Sequence, residues 1–310
     1  MKSQDQTQPG PEPKRKLPPE DWEHRRLYER VRDAIAALPA YFRTETYISG
    51  VMATDLHTLN TVLGATIEDQ VVGTLNTIRK TWDPDEAYSL YSFVRQPQTF
   101  PDVLLRNASN GEIILGIELK GWYLLAKEGE PSLRFQVTPK ACAIQDLVAV
   151  VPWVLGNVIS GSPILFEPFV ESARYAADYR NHHWQHVRVA QTDTEITTPE
   201  SATPYPSKSD KILDKPVSDS GGNFGRLART GIMNAYIERM NHLPICGIKT
   251  IFWRQFLKAF QEKTSDEKAR KTIERLRKQI QNTTKLPSGN ALSALSIIAE
   301  VEKLLGLAEE

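Results

Sequence analysis

The sequence predicts an α/β protein, with a mixed central sheet flanked by helices and a helical C-terminal extension. Three observations lead there. Residues 88–123 hold short β-prone runs separated by turn residues, whereas the segment before them shows apolar residues at helical spacing. Residues 147–155 (Leu147-Val148-Ala149-Val150-Val151-Pro152-Trp153-Val154-Leu155) are nearly continuously apolar, as in a central strand covered on both faces. From residue 221 onward the pattern is helical again.

Taken in order, residues 1–19 hold five prolines and few apolar groups and are expected to form a disordered tail. A first helix is expected over 20–38, ending before Pro39. A second covers 45–63, with Tyr47, Ile48, Val51, Met52, Leu56 and Leu59 among its apolar residues. Gly64 breaks it, and Thr66 caps a third helix through about 80, with Glu68 and Asp69 in its first turn. Strands follow over 88–96, 102–106 and 112–123, the last two joined as a hairpin by the Asn107–Gly111 turn. A short run at 133–137 precedes the 147–155 strand, where Pro152 favours an edge or a bulge and leaves a buried helix open. A strand at 163–169 and a helix at 171–184 complete a core spanning 20–190. Residues 191–220 are a polar connecting loop, longer than a compact domain keeps without a use. The 221–310 region is expected as helices over 222–242, 248–263, 265–283 and 290–308.

The bulk properties set bounds. A chain of 310 residues, 40% hydrophobic and 25% charged, has the composition of an ordinary globular protein. It has no apolar run of membrane-spanning length and no signal-peptide centre, so no membrane partner and a cytoplasmic location are expected. Cys142 and Cys246 form no metal-binding spacing and are expected as small core residues. The formal net charge is zero, which neither favours nor excludes nucleic acid, since a binding cleft needs local charge. Basic clusters occur at Lys14-Arg15-Lys16 and within 268–278.

The most informative residues are Asp102, Glu118 and Lys120. Residues two apart in a strand share a face, so Glu118 and Lys120 point together and Leu119 points away. In the hairpin, Asp102 falls at the open end beside them. Two carboxylates and an ammonium at one end of two strands suit a hard divalent cation such as Mg²⁺.

Pro101-Asp102, fifteen intervening residues and Glu118-Leu119-Lys120 together resemble the PD-(D/E)xK nuclease superfamily, the restriction-endonuclease-like fold, over roughly residues 60–190. The resemblance implies a restriction-endonuclease-like core in which Asp102, Glu118 and the backbone carbonyl of Leu119 bind Mg²⁺. Lys120 then orients water or stabilises charge on phosphorus. It also implies an acidic residue on the preceding helix, for which Glu68 is the candidate; a first-turn acid facing the helix dipole is the other reading.

The expected function is accordingly a Mg²⁺-dependent type II restriction endonuclease that cuts double-stranded DNA at a specific sequence. The expected partners are a second copy of the chain and a cognate DNA methyltransferase encoded nearby. A structure-specific repair or resolvase-type nuclease and a non-cleaving DNA-binding protein on the same fold are the alternatives. Candidate DNA contacts are Asn223, Arg226 and Arg229 on a glycine-led helix, and Arg180 and Asn181 on the 171–184 helix. Gln136 and Lys140 follow the hairpin on the next element and either reach a phosphate or the site edge or are surface polar residues, and Trp122 and Tyr123 are core aromatics. His182 and His186, four apart, lack the cysteine or carboxylate partners of a zinc site.

Overall fold

The computed structural model describes residues 11–51, 58–96, 99–188, 193–219, 221–229, 231–258, 265–282, 294–299 and 302. A six-stranded sheet forms from β1 (Tyr91–Arg95), β2 (Val103–Asn107), β3 (Ile113–Tyr123), β4 (Leu147–Leu155), β5 (Pro163–Leu165) and β6 (Phe169–Ser172). Its order is β1-β2-β3-β4-β5, with β6 also paired to β4. The first three strands form an antiparallel meander, β3 and β4 run parallel, and β5 and β6 return antiparallel, so the sheet is mixed as expected.

Every residue of β4 is buried, as its unbroken apolar run predicts. Pro152 does not divert it. β6 pairs with Leu147–Val150 and β5 with Trp153–Leu155, so the proline falls where the outer partner changes. The Pro152 carbonyl faces that same outer side and accepts the Phe166 N–H. A residue's N–H and C=O face one neighbour, so the missing N–H costs no bond to β3 and forfeits only the return bond to Phe166 at the end of the β5 pairing.

Helices α1 (Arg25–Tyr41), α2 (Leu59–Thr77), α3 (Arg79–Trp82) and α4 (Ala173–His182) pack against the sheet and one another. Two expectations fail in this region. Helix α1 carries Pro39 inside its last turn rather than stopping before it. The expected helices over 45–63 and 66–80 are replaced by one helix that runs through Gly64, preceded by extended chain that bridges Ile48 to Gly161. Residues 52–57 of the first expected helix lie outside the described residues. Helix and strand pass near each other here: a Cβ added at Gly121 of β3 would lie 3.7 Å from the Gly64 carbonyl oxygen, whereas one added at Gly64 would meet nothing within 4 Å.

Residues 11–19 have no regular structure, yet Arg15 reaches Glu171 at 2.8 Å and stacks on Tyr175 of α4. The 191–220 connection holds a two-stranded pair, β7 (Ile196–Thr197) with β8 (Lys215–Pro216). The helix expected over 222–242 begins only at Asn234, as α5 (Asn234–Asn241). Gly221, Gly222, Gly225 and Gly231 all take positive φ, between +62° and +99°, which a right-handed helix excludes. A β9–β10 hairpin (Pro244–Ile245 with Ile248–Lys249), α6 (Thr250–Lys258) and α7 (Asp266–Asn282) follow. Residues 294–299 are also helical. One cluster of buried apolar side chains runs from Leu27 of α1 through the sheet to Ile298.

Candidate active site

The site is organised by a mismatch in strand length. β2 pairs with β3 only between Ile113 and Ile117, whereas β3 continues to Tyr123. Beyond β2, alternate N–H groups along that edge of β3 have lost their strand partner and need other acceptors. Side chains supply them. Asp102 Oδ2 accepts from Leu119 N–H at 3.2 Å, Glu68 Oε1 from Gly121 N–H at 3.0 Å, and Asn60 Oδ1 from Tyr123 N–H at 3.0 Å. Asn60, Gly64 and Glu68 are successive fourth residues of α2, so one helix stripe lies along the exposed strand edge.

Asp102 is held from the other side too. Pro101 packs flat over Gly116, where an added Cβ would lie 2.1 Å from Pro101 Cγ. The register Val103↔Ile117 then puts Asp102 opposite Glu118, as the hairpin reading requires. Lys120 stands 3.8 Å from Glu68 Oε1 and is 40% exposed. The structure thus brings Asp102, Glu118, Lys120 and Glu68 into one cluster. Glu68 sits mid-helix rather than in a first turn, so its role is set by contacts and not by the helix end. Arg95 of β1 was not foreseen: it lies 3.6 Å from Glu68 and 3.7 Å from Asp69.

The electrostatics are frustrated. Burial, reinforced by the Glu68 charge, pushes Asp102 up to about 6, against the Leu119 N–H, Lys120 and Arg95. Burial and then the charge of Asp102 push Glu118 up to about 8, with Lys120 opposing. Two carboxylates that hinder each other's ionisation suit a dication, which relieves both. Leu119 N–H faces the Asp102 edge, so its carbonyl faces that edge as well. Among the described residues no three His, Cys, Asp or Glu groups are placed to hold a metal together, the His182–His186 pair included. Asp102 and Glu118 are the two carboxylates here that could hold a hard divalent cation, which would then keep several waters. Glu68 is engaged by the Gly121 N–H, Lys120 and Arg95.

A cleft of about 380 Å³ opens at Asp102 and Glu118, with Arg134, Gln136, Ser207 and Lys208 on its walls. Gln136 thus lies at the edge of the site. The polar connection contributes a wall because it is pinned on either side of Ser207 and Lys208. Tyr205 donates to Asp146 Oδ1 at 3.2 Å, and the Asp214 N–H bonds to the Gln136 carbonyl at 2.8 Å. Asp146, fully buried, also accepts the Gly116 and Ala143 N–H groups.

The DNA-contact expectations divide. Arg180 is 1% exposed, donating to the Phe135 and Val137 carbonyls and to Asp214 Oδ2 at 2.5 Å. Asn181 Nδ2 bonds to the same oxygen at 2.8 Å, and its Oδ1 accepts from Arg180. Arg180 is the centre of a buried clamp, inaccessible to DNA, and Asn181 is half-buried at its edge. A polar tetrad in sequence, Tyr179-Arg180-Asn181-His182, gave no sign that its arginine turns inward. Asn223 is exposed and Arg226 half-buried on an irregular turn, not on a shared helix face. The side chain of Arg229 lies outside the described residues. Trp122, Tyr123 and Cys142 are buried and Cys246 half-buried, as core residues.

Comparison with protein-family models, with curated proteins and with solved structures gives no match.

Proposed function

We propose that this protein is a Mg²⁺-dependent nuclease that hydrolyses phosphodiester bonds of double-stranded DNA. One observation carries the reading: Asp102 and Glu118, opposed across two strands and both held above the ordinary carboxylate range, with Lys120 on the same face as Glu118. Asp102, Glu118 and the Leu119 carbonyl hold the cation. Bound there, Mg²⁺ offsets phosphate charge and makes a water more acidic. Lys120 faces the phosphate and stabilises charge that grows in the transition state. Glu68 fixes the Lys120 ammonium in direction and secures the Gly121 backbone.

Within this reading we favour a type II restriction endonuclease acting as a homodimer, paired with a cognate methyltransferase. Two-fold symmetry would present one site to each strand of a palindrome. The decisive experiment is plasmid cleavage by wild type, Asp102→Ala and Glu118→Ala, with and without Mg²⁺, on unmodified and methylated DNA. We expect metal-dependent cutting at fixed positions by wild type, blocked by methylation, and none by either variant while gel-shift binding persists. Cutting at junctions or flaps would place the enzyme among structure-specific nucleases. Unchanged cleavage in both variants would remove Asp102 and Glu118 from the chemistry.

A further inference from the structure

Beside the carboxylates runs an extended segment with a strict alternation. Leu133, Phe135 and Val137 are buried, while Ser132 and Arg134 are exposed and Gln136 half-buried. This period-two pattern puts the three polar residues on one face. The segment is fixed on both sides: Phe135 N–H bonds to the Gly225 carbonyl at 2.7 Å, and Thr138 N–H to the Ile212 carbonyl at 2.7 Å. An antiparallel bridge sets Arg134 directly opposite Arg226. Residues opposed in such a bridge project to the same face, so the two arginine side chains leave the backbone on one side. Among the described residues neither makes an ion pair or a hydrogen bond through its side chain.

The position of this pair relates it to the catalytic cluster. Arg134 and Gln136 line the cleft at Asp102 and Glu118. Arg134 also lines a second hollow of about 290 Å³, together with Ser132, Arg226 and Trp122. Trp122 lies on the same face of β3 as Glu118 and Lys120. Its indole N–H is buried with no acceptor, which marks a wall that lacks a polar partner. Four residues of strand separate Glu118 from Trp122, roughly 13 Å. Glu128 and Glu130 also line the second hollow. Arg134 is common to both hollows, so they form one groove from the carboxylates to Arg226.

We infer that this groove is a rail for the strand being cut: Arg134 and Arg226 clamp a backbone phosphate next to the scissile one, and Gln136 contacts the strand between that clamp and the carboxylates. The ligand is a DNA strand, recognised through its phosphodiester backbone, so the rail carries affinity and register but no sequence information. Arg226 thereby keeps a place at DNA, on a turn rather than a helix, and gains Arg134 as its partner. The inference rests on the nuclease reading above.

The test is duplex binding over a salt series for wild type, Arg134→Gln, Arg226→Gln and the double variant, with Mg²⁺ affinity by calorimetry. Each single variant should lower the slope of log affinity against log salt by about one, and the double variant by about two, equally on cognate and random duplexes. Mg²⁺ affinity should stay that of wild type. The polar glutamine keeps the position hydrophilic, and thermal melts verify folding. Arg134→Lys, which retains the charge, should restore the slope and serves if the glutamine variants fail to fold. Wild-type slopes in folded glutamine variants, from an enzyme that still cuts DNA, would overturn the rail and leave the nuclease standing. A wild-type protein that binds neither duplex nor Mg²⁺ would remove the nuclease reading and the rail with it.

Discussion

Two buried charge clusters of this molecule invite comparison. At Arg180 and Asp214 the charges are opposite and only 2.5 Å apart, and Asn181 and two backbone carbonyls add hydrogen bonds. At Asp102 and Glu118 the charges are alike, and they are offset by two backbone N–H groups, of Leu119 and Asp102, one lysine and one arginine. The first cluster joins α4, the 135–137 segment and Asp214 into one body. The second gains nothing from its own arrangement and is held in place by strand register, Pro101 and α2. Burial of charge is common to both, so burial by itself does not identify a site; the sign of the neighbours does. Even the structural pair is imperfect, since Asp214 Oδ1 is buried with no partner among the described residues.

The comparison breaks most sharply by removing one partner of the opposite-charge pair. Arg180→Met should destabilise the protein by about 3–5 kcal/mol, because it leaves Asp214 as an uncompensated buried charge. Urea titrations measure this directly, and a loss below about 1 kcal/mol would mean that the clamp is dispensable. Burial lowers Arg180 itself only to about 10, so it stays charged at neutral pH, and the effect should not depend on pH between 6 and 8.

The like-charge cluster should respond in rate instead. Lys120→Ala should cut DNA a hundred- to a thousandfold more slowly, about 3–4 kcal/mol of transition-state stabilisation, with little change in melting temperature. Single-turnover cleavage at saturating Mg²⁺ is the measurement. A variant that melts far below wild type but retains its rate would reverse the contrast between the two clusters.

The smallest effect sharpens the comparison through pH. Asp102 and Glu118 titrate higher in the folded protein than an ordinary carboxylate does. The native state therefore holds more protons than the unfolded chain from about pH 4 upward, and stability falls as pH rises through about 6 and then about 8. Glu118→Gln abolishes most of that slope. Without metal it should exceed wild type in stability by on the order of 1–2 kcal/mol at pH 8.5 and match it near pH 4.5. Mg²⁺ should raise wild-type stability increasingly with pH, since it binds the ionised pair, and leave Glu118→Gln nearly unchanged. Parallel pH–melting curves for the two proteins would show that the pair is not strained.

Local pattern alone determined the hairpin around the Asn107–Gly111 turn, the burial of 147–155, and the meeting of Asp102 with Glu118 and Lys120. Each depends on period-two alternation and one short turn, interactions that reach only across neighbouring strands. Local pattern misled where a residue's use is set from outside its own segment. Gly64 looks like a helix breaker and lies inside α2, because the helix is held along β3 by Asn60 and Glu68 on either side of it. Arg180 looks like a surface cation and is buried, because Asp214 and the 135–137 carbonyls receive it. The glycines of 221–231 suggested a helix with an anion at its start, yet their positive φ builds a turn that sets Arg226 against Arg134. Only the tertiary structure decided these positions, because a partner distant in sequence leaves no periodic trace in the segment that it fixes.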